Sequence, residues 1–229
     1  MKKRIPAIFL LSCMIVSFVA PFMGQQEKAK YNLTQETMDI NEQLPPCNNP
    51  ARTISTKEIK NETDTALEEI NKKMQAIHSI QDKKEWFLAY KAIIQDYSDT
   101  FDPPETIYDY YTDKELDLFF RVVQAEVGEE YTFEQKANVA SVIINRLNHK
   151  QFGDSMFEVL TPDQFETIHN NRYQKVKVSQ NTILACEYSF QIEDTTNGCL
   201  FFDSNHLLKY KFVFHDGAHN FYKLEEDVK

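Results

Sequence analysis

Of the 35 acidic residues in this 229-residue chain, Glu126 has the setting that acid–base chemistry asks for. It lies four positions after Val122, three after Val123 and two before Gly128. That spacing puts it on the last turn of an apolar-faced helix, where the chain is free to turn away. Burial beside such a face, and the negative end of the helix, both favour the protonated carboxyl. A Glu that holds its proton near neutral pH suits a general acid acting on a glycosidic oxygen. The ordinary alternative is a solvated Glu at a helix end.

Two other constellations compete. His206, His215 and His219 lie close in sequence to Asp203 and Asp216, a donor set compatible with a zinc hydrolase. However, Gly217 disfavours a helix that would align His215 with His219, and no His-Glu-x-x-His sequence occurs. Cys186 with His219 would make a thiol peptidase, set against the simpler reading of Cys186 as a buried core thiol.

The elements that must position these groups are well punctuated. Thr63, Leu67, Ile70, Met74 and Ile77 recur at helical spacing, and a second helix carries Trp86, Phe87, Tyr90, Ile93, Ile94 and Tyr97, with Asp102-Pro103-Pro104 closing it. Capping-box pairs at Asp82/Glu85, Thr112/Glu115, Thr132/Gln135 and Thr161/Gln164 mark four helix starts. Pro162 reinforces the last of these. The helix from Thr112 buries Leu116, Phe119, Phe120, Val123 and Val127; the helix from Thr132 buries Ala137, Ala140, Ile143, Ile144 and Leu147. Another helix spans 181–190, and 198–202 and 211–214 read as short strands. The expected fold class is mainly α with a small β element.

With the elements in place, a resemblance emerges. Ala125-Glu126-Val127-Gly128-Glu129-Glu130, followed by Ala137-Asn138-Val139-Ala140-Ser141-Val142-Ile143-Ile144-Asn145-Arg146, resembles the opening motif of the SleB-type cell-wall hydrolases, which include spore cortex-lytic enzymes. Phe152, Gln164-Phe165, Gly198-Cys199-Leu200-Phe201-Phe202 and Gly217-Ala218-His219-Asn220-Phe221-Tyr222 follow in the family's order, so the likeness covers about residues 113–224. It implies a lysozyme-like catalytic domain that cleaves the MurNAc-GlcNAc strand of peptidoglycan as a lytic transglycosylase, with Glu126 as the single acid and base. It also implies no cofactor and no metal. Glu129, Gln164, Phe165, His219 and Tyr222 are then expected to bind substrate, and Asn145 to support the site. Gln164 closing its capping box and Phe165 serving the core are the competing roles. Val127 departs from the family's frequent Arg, as does Asp203-Ser204-Asn205 from its tighter Phe-Asn element. A metal- or cysteine-dependent peptidase or amidase, and a non-catalytic wall-binding scaffold, are the alternatives.

The rest of the chain reads as delivery. Lys2, Lys3 and Arg4 precede nineteen uncharged residues, Ile5 to Met23, as in a secretory signal or an N-terminal membrane anchor. Residues 1–24 are therefore expected to direct export to the envelope or beyond, by a cleaved signal or as an anchor. Residues 25–55 read as a flexible tether, 56–105 as a helical connector whose 56–97 stretch offers a partner surface, and 106–229 as the catalytic domain. Beyond residue 24 the chain carries 22 Lys and Arg against 35 Asp and Glu, which argues against nucleic-acid binding. Cys47, Cys186 and Cys199 are an odd set, so a Cys186–Cys199 bridge and two buried thiols both remain open.

Overall fold

A computed structural model describes residues 56–225, with side chains from Asp64 onward. The expected export segment and tether, residues 1–55, lie outside the described residues, as does Thr63's side chain. The chain divides into two compact units: residues up to Met74 with Ile93–Pro104, and Gln75–Ala92 with Glu105 onward. The stretch expected as one connector is thus shared between them.

Helix α1 (Thr56–Ile77) and helix α2 (Lys83–Asp96) each run through both units. In the first unit Ile70 and Ile93 are buried, Lys73 Nζ pairs with Asp96 Oδ2 at 2.9 Å, and Tyr97 donates its hydroxyl to Glu69 at 3.2 Å. Helix α2 stops at Asp96, ahead of the Asp-Pro-Pro sequence expected to end it. Its opening matches the sequence, since Glu85 N donates to Asp82 Oδ1 at 2.8 Å.

The second unit is mostly helical with one small sheet. After the short helix α3 (Ile107–Tyr110), helices α4 (Asp113–Val127) and α5 (Phe133–Leu147) both open with the complete capping boxes foreseen at Thr112/Glu115 and Thr132/Gln135. Each cap satisfies amide donors that the first helical turn leaves free, a contribution of about 1 kcal/mol. Their apolar stripes meet: Leu116, Phe119, Phe120, Val123 and Val127 share one core with Val139, Ala140 and Ile143. Helices α6 (Met156–Val159), α7 (Glu166–His169) and α8 (Gln180–Gln191) enclose it, with a 3-10 turn (Arg172–Lys175) between the last two. Cys186 of α8 sits within this core.

Thr161/Gln164 opens only a turn, contrary to the sequence expectation. Gln164 N and Phe165 N both bond back to Thr161 O, at 3.0 Å each, and Phe165 then takes an extended conformation before α7 begins at Glu166. Burial of the Phe165 ring in the core overrides the capping pattern.

Strands β1 (Phe201–Asp203), β2 (Lys211–His215) and β3 (Asn220–Lys223) form an antiparallel sheet in the order β1-β3-β2. The central strand β3 was legible only as a motif, because four residues are too few to display alternation. An irregularity between Phe212 and Phe214 lets both face β3, Phe212 opposite Tyr222 and Phe214 opposite Phe221. Phe214 stacks on Phe221 at 4.7 Å, and Phe221 packs with Val142 of α5 and Cys199, which joins the sheet to the helical core.

Residues Gln75–Ala92 belong to this unit through specific contacts. The Phe87 ring meets Tyr188 edge-on at 5.4 Å, and Lys91 Nζ pairs at 2.6 Å with Glu187, a buried carboxylate that also accepts from Tyr108 at 2.8 Å.

Candidate active site

Glu126 occupies the last turn of α4, as its spacing predicts. Gly128 caps the helix with φ 74° and ψ −179°, a conformation open almost only to glycine, and its N–H closes the helix on Gln124 O at 2.9 Å. The segment beyond it is tied down by Lys136 of α5, wholly buried, whose ammonium donates to Gly128 O at 2.8 Å and Glu129 O at 3.4 Å. The turn that presents Glu126 is therefore fixed from both sides.

The carboxyl of Glu126 accepts a hydrogen bond from Thr167 Oγ1 at 2.6 Å. Thr167 belongs to α7 and its residue is fully buried. Burial raises the Glu126 pKa above the usual carboxylate value, opposed first by the Thr167 hydroxyl and then by Arg172, while Glu166 adds to the rise. The net is a carboxyl that holds its proton to higher pH than an exposed Glu yet keeps a donor for its ionised form. Thr167 was not legible in the sequence, since it lies two positions past the Gln164-Phe165 pair in a four-residue helix without periodicity.

The other sequence-predicted residues divide. Glu129 is exposed and its backbone carbonyl accepts from Lys136 of α5, and Gln164 is exposed on the turn before α7. Phe165 lies in the core, and its ring sits 4.8 Å from the Arg146 guanidinium. His219 is buried near Tyr131, Phe202 and Phe221; burial lowers its pKa, and its Nδ1 has no hydrogen-bond partner. Tyr222 is buried too, donating its hydroxyl to Asp203 Oδ1 at 2.9 Å and facing His206 Nδ1 at 3.1 Å. Asn145 pins the loop before β1, with Nδ2 donating to Asp194 Oδ2 at 3.1 Å, Thr196 Oγ1 at 3.2 Å and Cys199 O at 3.1 Å.

The competing chemistries find little support in these placements. Cys186 and Cys199 are free thiols, both buried, so no bridge joins them. Burial pushes the Cys186 thiol well above its ordinary value, the reverse of what a nucleophilic thiolate needs. Among the described residues no group of three or more His, Cys, Asp or Glu is arranged to hold a metal ion. Asp203 is instead engaged by its own loop, accepting from the amides of His206, Leu207 and Leu208 at 2.9, 2.6 and 3.0 Å. Asp216 likewise accepts from Asn138 at 2.9 Å and from the amides of Ala218 and His219 at 2.9 and 2.8 Å.

Comparison with known proteins bears on the same segment. Residues 129–224 match the family model described as Cell Wall Hydrolase. This stretch is similar to cell wall hydrolase domains. It begins three residues after Glu126, so that carboxylate precedes the matched segment. A domain of this family is an enzyme that acts on peptidoglycan, at the cell envelope or outside the cell. Two solved structures are similar to the chain. One is the catalytic domain of the germination-specific lytic transglycosylase SleB from Bacillus anthracis, at 17% identity and TM-score 0.45, covering 51% of this chain and 100% of that one. The other is the SleB catalytic domain from Bacillus cereus, at 18% identity and TM-score 0.44, covering 49% and 92%. No curated protein matches the chain. Among the described residues no helix is long and apolar enough to cross a membrane.

Proposed function

We propose that the domain cleaves the MurNAc-GlcNAc bond of the peptidoglycan glycan strand by a lytic transglycosylase mechanism, with Glu126 as its one acid and base. The observation that carries this reading is the half-buried Glu126 carboxyl, held by Thr167 at 2.6 Å at the end of α4, with partial burial raising its pKa. In the first step protonated Glu126 gives its proton to the glycosidic oxygen as the bond to muramic acid C1 breaks. In the second, the carboxylate takes the proton of the muramic acid C6 hydroxyl while O6 bonds to C1. A 1,6-anhydro end results, Glu126 regains its proton, and no water is consumed. An inverting or nucleophilic glycosidase needs a second carboxylate at a set separation. Glu129 and Glu130, the nearest acids in sequence, are exposed side chains beyond the helix end, and Glu166, which acts on Glu126 from α7, is an exposed side chain as well.

Within this reading, Gln164 and Glu129 are available to contact glycan, whereas Phe165, Tyr222, His219 and Asn145 support the walls from within. Residues 1–24 supply export or anchoring and 25–55 the tether, while 56–97 offer a surface for a protein partner. Glu126→Gln keeps the shape and removes the proton. The folded variant is expected to release no soluble muropeptides, and mass spectrometry of wild-type digests to show anhydro-muramic ends. Reducing ends would establish hydrolysis instead, and an active Glu126→Gln enzyme would refute the assignment.

A further inference from the structure

Arg146 is a buried cation with no part in either proton transfer. It is only 4% exposed. Its Nε donates to Leu200 O at 2.7 Å, while its Nη1 is buried without a partner. The rings of Phe152, Phe165 and Phe201 surround the guanidinium at 5.1, 4.8 and 5.4 Å. None of the ion pairs among the described residues includes it. A buried charge without a carboxylate partner is costly, and aromatic faces offset only part of that cost. Burial lowers the Arg146 pKa to about 10, so it stays charged at neutral pH, and the acidic groups that act on it are Glu126 and then Tyr210. The structure also links the two sites physically. Phe165, packed beneath the guanidinium, directly precedes α7, whose Thr167 binds Glu126.

We propose that Arg146 is an electrostatic positioning residue for Glu126: a fixed cation, committed to no carboxylate of its own, that stabilises the ionised acid in the second half of the reaction. This rests on Glu126 being the acid and base. Burial alone would suit the first half, in which a proton is given, but would leave the resulting carboxylate poorly stabilised before it takes the C6 hydroxyl proton. Glu166 on α7 and Arg172 on the 3-10 turn act on Glu126, and Glu126 acts on Arg146 of α5, which reaches it through the Phe165 ring and the start of α7 rather than by a direct ion pair. Arg172 is exposed and is screened by salt, whereas Arg146 is shielded from solvent.

The test is carbon-13 NMR titration of the Glu126 carboxyl in the full chain, with the signal assigned by its loss in Glu126→Gln. In Arg146→Met the midpoint is expected to rise by more than about half a pH unit, and the rise to persist in high salt. The rise in Arg172→Gln should shrink as salt is added. Arg146→Lys retains a charge and should hold the midpoint near wild type, which keeps the test available if the Met variant does not fold. An unmoved midpoint in folded Arg146→Met, or a full rise in Arg146→Lys, would overturn the proposal. Failure of the catalytic reading shows itself separately, as glycan cleavage by Glu126→Gln.

Discussion

Replacing Thr167 by Val removes one hydroxyl and almost no volume, so it isolates the hydrogen bond to Glu126. That bond is 2.6 Å long and its donor residue is fully buried. A hydrogen bond to a charged acceptor is worth about 1.5–3 kcal/mol, and 1.36 kcal/mol corresponds to one pH unit. Thr167 favours the ionised carboxyl, so its loss should raise the pH at which Glu126 gives up its proton. The alkaline limb of kcat/KM, measured as initial muropeptide release at low substrate, is expected to move up by about one pH unit, using the lower end of that range. Thr167→Ser, which keeps a hydroxyl, should stay near wild type. Stability follows the same sign. The folded pKa of Glu126 lies above its unfolded value, so its burial costs nothing below the unfolded pKa and its full amount above the folded one. Thr167→Val should therefore lose stability at neutral pH, with the part due to Glu126 vanishing in acid. An alkaline limb that stayed in place or moved down would refute the reasoning.

Three further outcomes are expected. Gly128→Ala forces a side chain into backbone that favours glycine; it should cost about 1–3 kcal/mol in denaturant unfolding and depress activity by moving the end of α4. Asn145→Ala removes the amide that joins α5 to Asp194, Thr196 and Cys199; a loss of about 2 kcal/mol is expected, and equal stability would show that the loop holds itself. Lys91→Ala leaves the buried Glu187 with Tyr108 alone. Because Lys91 is itself partly exposed, about 1–2 kcal/mol is expected, read as a lower melting temperature, and a fragment beginning at residue 106 should melt lower still.

Several elements could be read directly from the chain. The Thr112 and Thr132 caps, the stripes of α4 and α5 and the place of Glu126 before Gly128 are local patterns, set by helical geometry within a few residues. Other features escaped because their causes lie far away in sequence. Thr161 failed to open a helix because the Phe165 ring is drawn into a core built from other segments. Strand β3 exists through pairing on both sides with β1 and β2. Tyr222 and His219, placed by a motif, are both buried, Tyr222 bonded to Asp203 and His219 among Tyr131, Phe202 and Phe221, all contacts between segments distant in sequence.

The sequence by itself determined the helical class, the helix that carries Glu126 and the likeness to cell wall hydrolases, because capping, periodicity and ordered motifs are local and survive in one dimension. Only the tertiary structure decided what surrounds that acid. Thr167 lies 41 positions away and still donates to it, while Lys136 and Arg146 belong to the following helix. Burial and hydrogen bonding set the proton affinity of Glu126, and both depend on which distant segments the core brings together.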